Sequence, residues 1–163
     1  MLIGVLSDTH LVSPDPLLDH ILEELLEQAE MILHAGDLVS VSVLDRLEEK
    51  GGLAVCGNMD DHEVAHRIPQ KRIVLAVGKK IGLIHGWGSK QGLRARVLSH
   101  FEPDKPDLII YGHSHVPFWG EIEGIPMFNP GAATRNPYTG NGTVGRLEIL
   151  NGMFQATFLH LER

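Results

Sequence analysis

The sequence predicts an α/β protein in which two sheets face each other with helices on the outside. Three observations lead there. Through the first third, short apolar runs alternate with amphipathic stretches in a βαβαβ order. The last third strings strand-like runs together, two of them across Asn151-Gly152, a type I′ hairpin signal, so that half is expected to be mainly antiparallel. No internal repeat and no linker composition interrupts the 163 residues, so residues 1–163 are expected to form one domain.

In order, Leu2 to Ser7 is an apolar run ending in polar residues, as for a buried strand that hands its last side chains to a loop. Asp15 and Pro16 then read as N-cap and first residue of a helix. Leu17, Leu18, Ile21, Leu22, Leu25 and Leu26 form its apolar face, with Glu23, Glu24 and Glu27 opposite. Met31 to His34 is the second strand. Ser40 is positioned to cap a second helix carrying Val41, Leu44 and Leu47, and Gly51-Gly52 ends it before a third strand at Leu53 to Cys56. Arg72 to Val77 and Lys80 to Ile84 flank Gly78-Lys79 as a hairpin, Ser89 opens a helix reaching about His100, and Asp107 to Tyr111 is a buried strand. Strands follow at Phe118 to Glu123, Pro126 to Phe128, Thr143 to Leu150 and Met153 to Leu161.

Composition narrows the function. Hydrophobic residues at 43% and charged ones at 21% describe an ordinary globular domain. A net charge of −7 argues against a broad basic face for duplex nucleic acid or anionic membrane. No apolar run approaches the roughly 20 residues that span a bilayer. The opening Met1-Leu2-Ile3-Gly4-Val5-Leu6 lacks the basic and long apolar regions of a signal peptide, so a cytoplasmic location is expected. Cys56 is the one cysteine, so no intrachain disulfide forms, and its place after Leu53-Ala54-Val55 reads as a buried structural thiol.

Five polar clusters sit where apolar strands end: Asp8-Thr9-His10, Gly36-Asp37, Gly57-Asn58-Met59-Asp60, His85-Gly86 and Gly112-His113-Ser114-His115. That edge is where α/β sheets build ligand sites. In an extended segment residues i and i+2 share a side, so Asp8 with His10, and His113 with His115, would aim at one point while Thr9 and Ser114 face away. Singly, each cluster reads as a turn, a cap or a satisfied histidine. Together they offer three oxygen donors and four imidazoles, more than one tetrahedral zinc site takes and enough for two ions sharing a carboxylate.

In this order the five clusters resemble the calcineurin-like metallophosphoesterase superfamily, and Asn58-Met59-Asp60 with Asn129-Pro130-Gly131 resembles its small prokaryotic phosphodiesterase branch. The resemblance implies a four-layer α/β/β/α sandwich of two mixed sheets. It also implies one metal on Asp8, His10, Asp37 and His115, and another on Asp37, Asn58, His85 and His113, bridged by Asp37. Manganese is the first expectation, with iron, nickel and zinc compatible with mixed carboxylate and imidazole donors. A water between two such ions is acidified, so the expected reaction is hydrolysis of a small phosphodiester by hydroxide.

Two departures matter. Many members carry histidine directly after the asparagine, as an acid for the leaving group; here Met59 has no proton to give. His62 is the nearby candidate for that role, while Asp60 is expected to orient rather than ligate. Ala132 stands where the branch often has serine. Outside the clusters, His34 reads either as a residue that orients the site or as a core histidine with a backbone partner, and Arg135 lies within sequence reach of a phosphate oxygen. The rival from another class is a non-catalytic scaffold resembling the phosphoesterase-like subunit of retromer, against which the full ligand set speaks. A β-lactamase-like metallohydrolase would need a His-x-His-x-Asp-His block, which the chain lacks. The natural substrate is not legible, and homo-oligomerisation is left open.

Overall fold

In the computed structural model, which describes residues 1–134 and 140–161, two five-stranded sheets meet face to face. The first comprises β1 (Leu2–Leu6), β2 (Met31–His34), β3 (Leu53–Ala54), β9 (Gly142–Leu150) and β10 (Met153–Leu161), in the order β10-β9-β1-β2-β3. The second comprises β4 (Lys71–Ala76), β5 (Lys79–Ile84), β6 (Leu108–Tyr111), β7 (Phe118–Ile122) and β8 (Ile125–Asn129), in the order β4-β5-β6-β8-β7. Helices α1 (Pro16–His20), α2 (Val41–Glu49) and α3 (His62–Arg67) pack on the first sheet, and α4 (Leu93–His100) on the second.

Alternation along the strands builds three apolar layers, and these make the four-layer sandwich. Ile3, Val5, Leu33, Ile81, Leu83, Leu108, Ile110, Phe128 and Leu147 fill the space between the sheets. Leu18, Ile21, Leu22, Leu44, Leu47 and Val64 meet Leu6, Ile32 and Val144 under the first helical layer. Leu93, Val97 and Phe101 of α4 cover Ile84, Ile109 and Tyr111. Each such side chain contributes roughly 1.5–3 kcal/mol by leaving water, so the sheets are held rigidly enough to fix loops at their ends.

Several elements differ from expectation, each for a local reason. The first helix keeps α geometry only to His20. Ile21–Leu25 is a wider π turn, closed by the Leu26 N–H to Ile21 carbonyl bond at 2.9 Å, which brings Leu26 onto Gly4 of β1. Ser40 occupies the N-cap of α2, but its hydroxyl faces the Leu11 carbonyl at 3.4 Å instead of capping the helix. Ser89 accepts from the Gln91 N–H, making a local turn, and α4 begins only at Leu93 after left-handed Gly92. The β4–β5 turn is Val77-Gly78, both with positive φ, rather than Gly78-Lys79. Helix α3 was not expected: Asp61 caps it through the Val64 N–H at 2.9 Å, but with Val64 its one buried residue there is no periodicity to read. The last third is less antiparallel than expected, because β8 pairs in parallel with β6, while β9 returns antiparallel to β1.

β1, β2 and β3 run parallel in one sheet, and β5 and β6 run parallel in the other. All five polar clusters follow the carboxyl ends of these strands.

Candidate metal centre

Backbone hydrogen bonds join the loops after β1 and β2, Asp8 N–H to Gly36 O and His10 N–H to Asp37 O, both 3.0 Å, those after β2 and β3, Asp61 N–H to Val39 O, 2.9 Å, and those after β5 and β6, Gly112 N–H to His85 O, 3.0 Å. Side chains from both sheets therefore converge. His115 Nε2 lies 3.1 Å from Asp8 Oδ1 and 3.3 Å from His10 Nε2. His85 Nε2 lies 3.2 Å from Asp37 Oδ2 and 3.9 Å from Asp8 Oδ1. His10 Nε2 stands 3.8 Å from Asp8 Oδ1 and 3.7 Å from Asp37 Oδ2. Asn58 Oδ1 and His113 Nδ1 are 3.0 Å apart at the open side. All seven residues singled out in the sequence are thus brought to one place. The compact groups among them are Asp8, His10 and His115, and Asp8, Asp37 and His85.

One oxygen of each carboxylate is occupied and the other is free. Asp8 Oδ2 accepts from the Ser7 hydroxyl at 2.5 Å and the His113 N–H at 3.1 Å, while buried Oδ1 has no hydrogen-bond donor among the described residues. Asp37 Oδ1 accepts the Met59 N–H at 2.7 Å, leaving Oδ2 toward the imidazoles. His85 Nδ1 donates to the Ala35 carbonyl at 2.7 Å, which turns the buried Nε2 into the cluster, where it too has no hydrogen-bond partner among the described residues. Orphaned acceptors in a dry site cost free energy unless a cation fills the gap. A divalent ion fits this donor set, and the orientation of His85 by a backbone carbonyl is usual for a metal-binding histidine.

Extended geometry is not what aims Asp8 with His10, and His113 with His115, at one point. Asp8, His10, Asp37, His113 and His115 are not extended; all have φ between 49° and 67°. In this left-handed conformation a non-glycine residue is held under strain that the surrounding structure must over-determine. Thr9 and Ser114 do face away: Thr9 Oγ1 meets His34 Nε2 at 3.3 Å, and Ser114 Oγ accepts from Asn129. At Gly112 a Cβ would come within 2.0 Å of Ser7 Oγ and 2.9 Å of Asp8 Oδ2; at Gly57 it would come within 2.2 Å of Asp37 Oδ1. These two glycines allow the loops to close on the carboxylates.

Asp60, expected to orient rather than ligate, bonds to backbone N–H groups of two loops. It accepts the N–H groups of Asp37 (3.2 Å), Gly57 (2.7 Å) and Val39 (2.6 Å), tying the second and third loops together. Asn129 has the matching role on the other sheet and was missed as a site residue. Fully buried, it donates to Gly112 O (2.8 Å) and Ser114 Oγ (3.1 Å) and accepts the Gly131 N–H, holding the loop of His113 and His115. A polar residue closing an apolar strand just before Pro130-Gly131 was the available signal. His34 takes the core role: buried, its Nδ1 accepts the Gly36 N–H at 3.1 Å. His62, the candidate acid, lies on the exposed first turn of α3 with Nε2 3.1 Å from His66 Nε2, and is not brought into the cluster. Arg135 lies outside the described residues.

Charge follows this arrangement. Burial alone would raise the Asp8 pKa, but the adjacent His10 and His115 imidazoles hold it well below the carboxylate range. Asp37 is likewise lowered against burial, chiefly by His85. His10 is raised by the neighbouring Asp8 carboxylate; His85 is raised by Asp37 against the effect of burial. Burial pushes His34 down to about 3, so it stays neutral.

Paired carboxylates and imidazoles at the strand ends of a two-sheet α/β/β/α sandwich form a candidate metal centre. The calcineurin-like phosphoesterase superfamily domain matches residues 1–152, and the chain belongs to that family. A probable metallophosphoesterase of Methanothermobacter thermautotrophicus is 37% identical over 139 residues, covering 82% of this chain and 78% of that protein. One from Methanocaldococcus jannaschii is 35% identical over 138 residues, 82% of this chain and 69% of its own length. Among solved structures, a novel archaeal phosphodiesterase superposes with a TM-score of 0.72 at 26% identity, covering 98% of this chain and 100% of that one. Vps29 of Chaetomium thermophilum shares the fold, with a TM-score of 0.75 at 19% identity over 99% and 97% of the two chains. Among the described residues no helix is long and apolar enough to cross a membrane.

Proposed function

We propose that the protein is a dinuclear metal-dependent phosphodiesterase acting on small phosphoesters. The observation that carries this reading is the pair of buried atoms without a hydrogen-bond partner among the described residues, Asp8 Oδ1 and His85 Nε2, facing each other across the sheets at 3.9 Å with Asp37 Oδ2 3.2 Å from the imidazole.

Asp8, His10, Asp37 and His115 would hold one ion, and Asp37, Asn58, His85 and His113 the other. Asp8 belongs to both compact groups, so it competes for the bridge. Asp37 is favoured because its Oδ1 is bonded to the loop that carries Asn58 while its Oδ2 faces His85 and His10, one from each set. When bound, two ions supply Lewis acidity toward the phosphoryl oxygens and an acidified water as nucleophile. Manganese is the first choice.

The chain's own part is to preorganise. Asp60 and Asn129 fix the loops from either sheet, and Ser7 and Met59 turn one oxygen of each carboxylate away. Met59 is 56% exposed beside Asn58, and a thioether has no proton for a departing alkoxide. Aryl diesters are therefore expected to be hydrolysed faster than alkyl diesters of matched size, and equal rates would count against the missing acid. A panel of aryl monoester, aryl diester, alkyl diester and cyclic nucleotides, each with manganese, iron, nickel or zinc, tests the reaction class. Turnover of diesters supports the reading. The second reading is a non-catalytic scaffold of the fold shared with Vps29, for which the panel would show no metal-dependent turnover of any ester.

A further inference from the structure

Beside the candidate metal centre a cleft of about 280 Å³ opens, lined by Cys56, Asn58, Gln70, His85, Trp87 and His100 among others. That is the small end of the range for ligand pockets, room for one ring system. Asn58 and His85 place one end of the cleft at the proposed reaction centre.

The other walls carry two rings, Trp87 and His100, beside Cys56, Gly57, Ile84 and Gly86. Trp87 is 42% exposed, and its indole meets the His100 ring edge-on with centroids 5.2 Å apart. Burial raises the Cys56 thiol to about 11, so it stays neutral, and no lysine, arginine, aspartate or glutamate lines the cleft among the described residues. Gln70 brings an amide, a donor and an acceptor together, to the rim.

Trp87 is also held in place. Arg96 of α4 donates to the Trp87 carbonyl and the Gln91 carbonyl, each at 2.9 Å, and to the Ser89 carbonyl. His113 Nε2 lies 2.7 Å from the Gly88 carbonyl. The loop that carries the indole is thereby tied directly to a proposed metal ligand, so the distance from aromatic wall to reaction centre is fixed.

We propose that this cleft is the subsite for a planar heteroaromatic substituent of the substrate, stacked on Trp87 with its edge toward Gln70. The substrate class is then a nucleotide-type phosphodiester, with the phosphate at the Asn58 and His85 end. The assignment rests on the phosphodiesterase reading. A charged headgroup finds no counter-charge in these walls, whereas a nucleobase finds a ring face and an amide.

Equilibrium dialysis of adenosine monophosphate and ribose 5-phosphate, which differ only by the base, tests the subsite without turnover. It is run on wild type, Trp87→Ala and Trp87→Phe, each manganese-loaded and metal-free. In wild type the base is expected to tighten binding about 10-fold or more, in line with base stacking on aromatic side chains. Trp87→Ala should erase that difference and leave ribose 5-phosphate binding as it was, while Trp87→Phe keeps most of it. Equal binding of the two ligands to wild type, or a base effect that survives in Trp87→Ala, overturns the subsite. If the base effect behaves as expected but no diester is hydrolysed with any of the four metals, the subsite stands and the phosphodiesterase reading falls. If diesters are hydrolysed and the base adds nothing, the subsite alone falls.

Discussion

The first sheet brings Asp8, Asp37 and Asn58 with a single imidazole, His10, to the shared edge, whereas the second brings imidazoles alone, His85, His113 and His115. Neither sheet by itself presents both a carboxylate cluster and enough nitrogen donors for two ions. The contacts that complete the site cross from one sheet to the other: His115 to Asp8 at 3.1 Å, His85 to Asp37 at 3.2 Å, and the His113 N–H to Asp8 Oδ2 at 3.1 Å. The difference teaches that the apolar layer between the sheets is part of the chemistry, since it holds the anionic half against the imidazole half. It also accounts for one pair of opposed shifts: across the sheets His85 helps to lower the Asp37 carboxyl and Asp37 helps to raise the His85 imidazole, each against the effect of burial.

The sharpest way to break this division is to neutralise the proposed bridge. Asp37→Asn is expected to lose both ions and to drop diester turnover by about a thousandfold or more, since the removed charge serves the two sets at once. Elemental analysis beside a diester assay checks it, and two metals per chain in that variant would reject Asp37 as the bridge and move the role to Asp8. On the imidazole side, His85→Asn should remove the ion of the second set and keep the first, a loss on the order of a hundredfold in turnover with close to one metal per chain.

Smaller effects probe the supports. Asp60→Asn cannot accept from three backbone N–H groups as the carboxylate does, so metal affinity is expected to fall about 10- to 100-fold while the fold persists. Metal titration beside circular dichroism separates the two. Last comes His34. Its folded pKa of about 3 lies below the ordinary imidazole value of 6.5, so between these values the unfolded chain binds a proton that the folded chain refuses. Stability of the metal-free protein must then fall as pH drops below about 6.5, by up to about 1.4 kcal/mol per unit from this one group. His10 and His85, whose pKa values are raised, are protonated in both states below 6.5 and add no slope there. Asp8 and Asp37, whose values are lowered, begin to contribute only near the ordinary carboxylate range. Urea unfolding between pH 6.5 and 4.5 should therefore show a slope that His34→Gln flattens.

The site was legible because each donor ends an apolar run, and an apolar strand that stops at Asp-x-His or Gly-His-Ser-His leaves polar side chains at a sheet edge. What was not legible is the backbone that aims them. Asp8, His10, His113 and His115 converge in left-handed conformation, which local preference disfavours and only the packed surroundings of Gly112 and Asn129 enforce. Helix α3 escaped for the opposite reason, being too short to show an apolar period. At Ser89 a hydroxyl that reads as a helix cap makes a local turn instead, because the same oxygen serves either purpose. The support from Asn129 depends on a contact with Gly112, 17 residues away, which no local pattern encodes.

The most direct test of the central claim is anomalous X-ray diffraction from crystals of the manganese-loaded protein, measured on both sides of the manganese absorption edge. The account predicts two manganese peaks in one site, the first on Asp8, His10 and His115, the second on Asn58, His85 and His113, with Asp37 touching both. A single peak, or ions bound away from these residues, would contradict it.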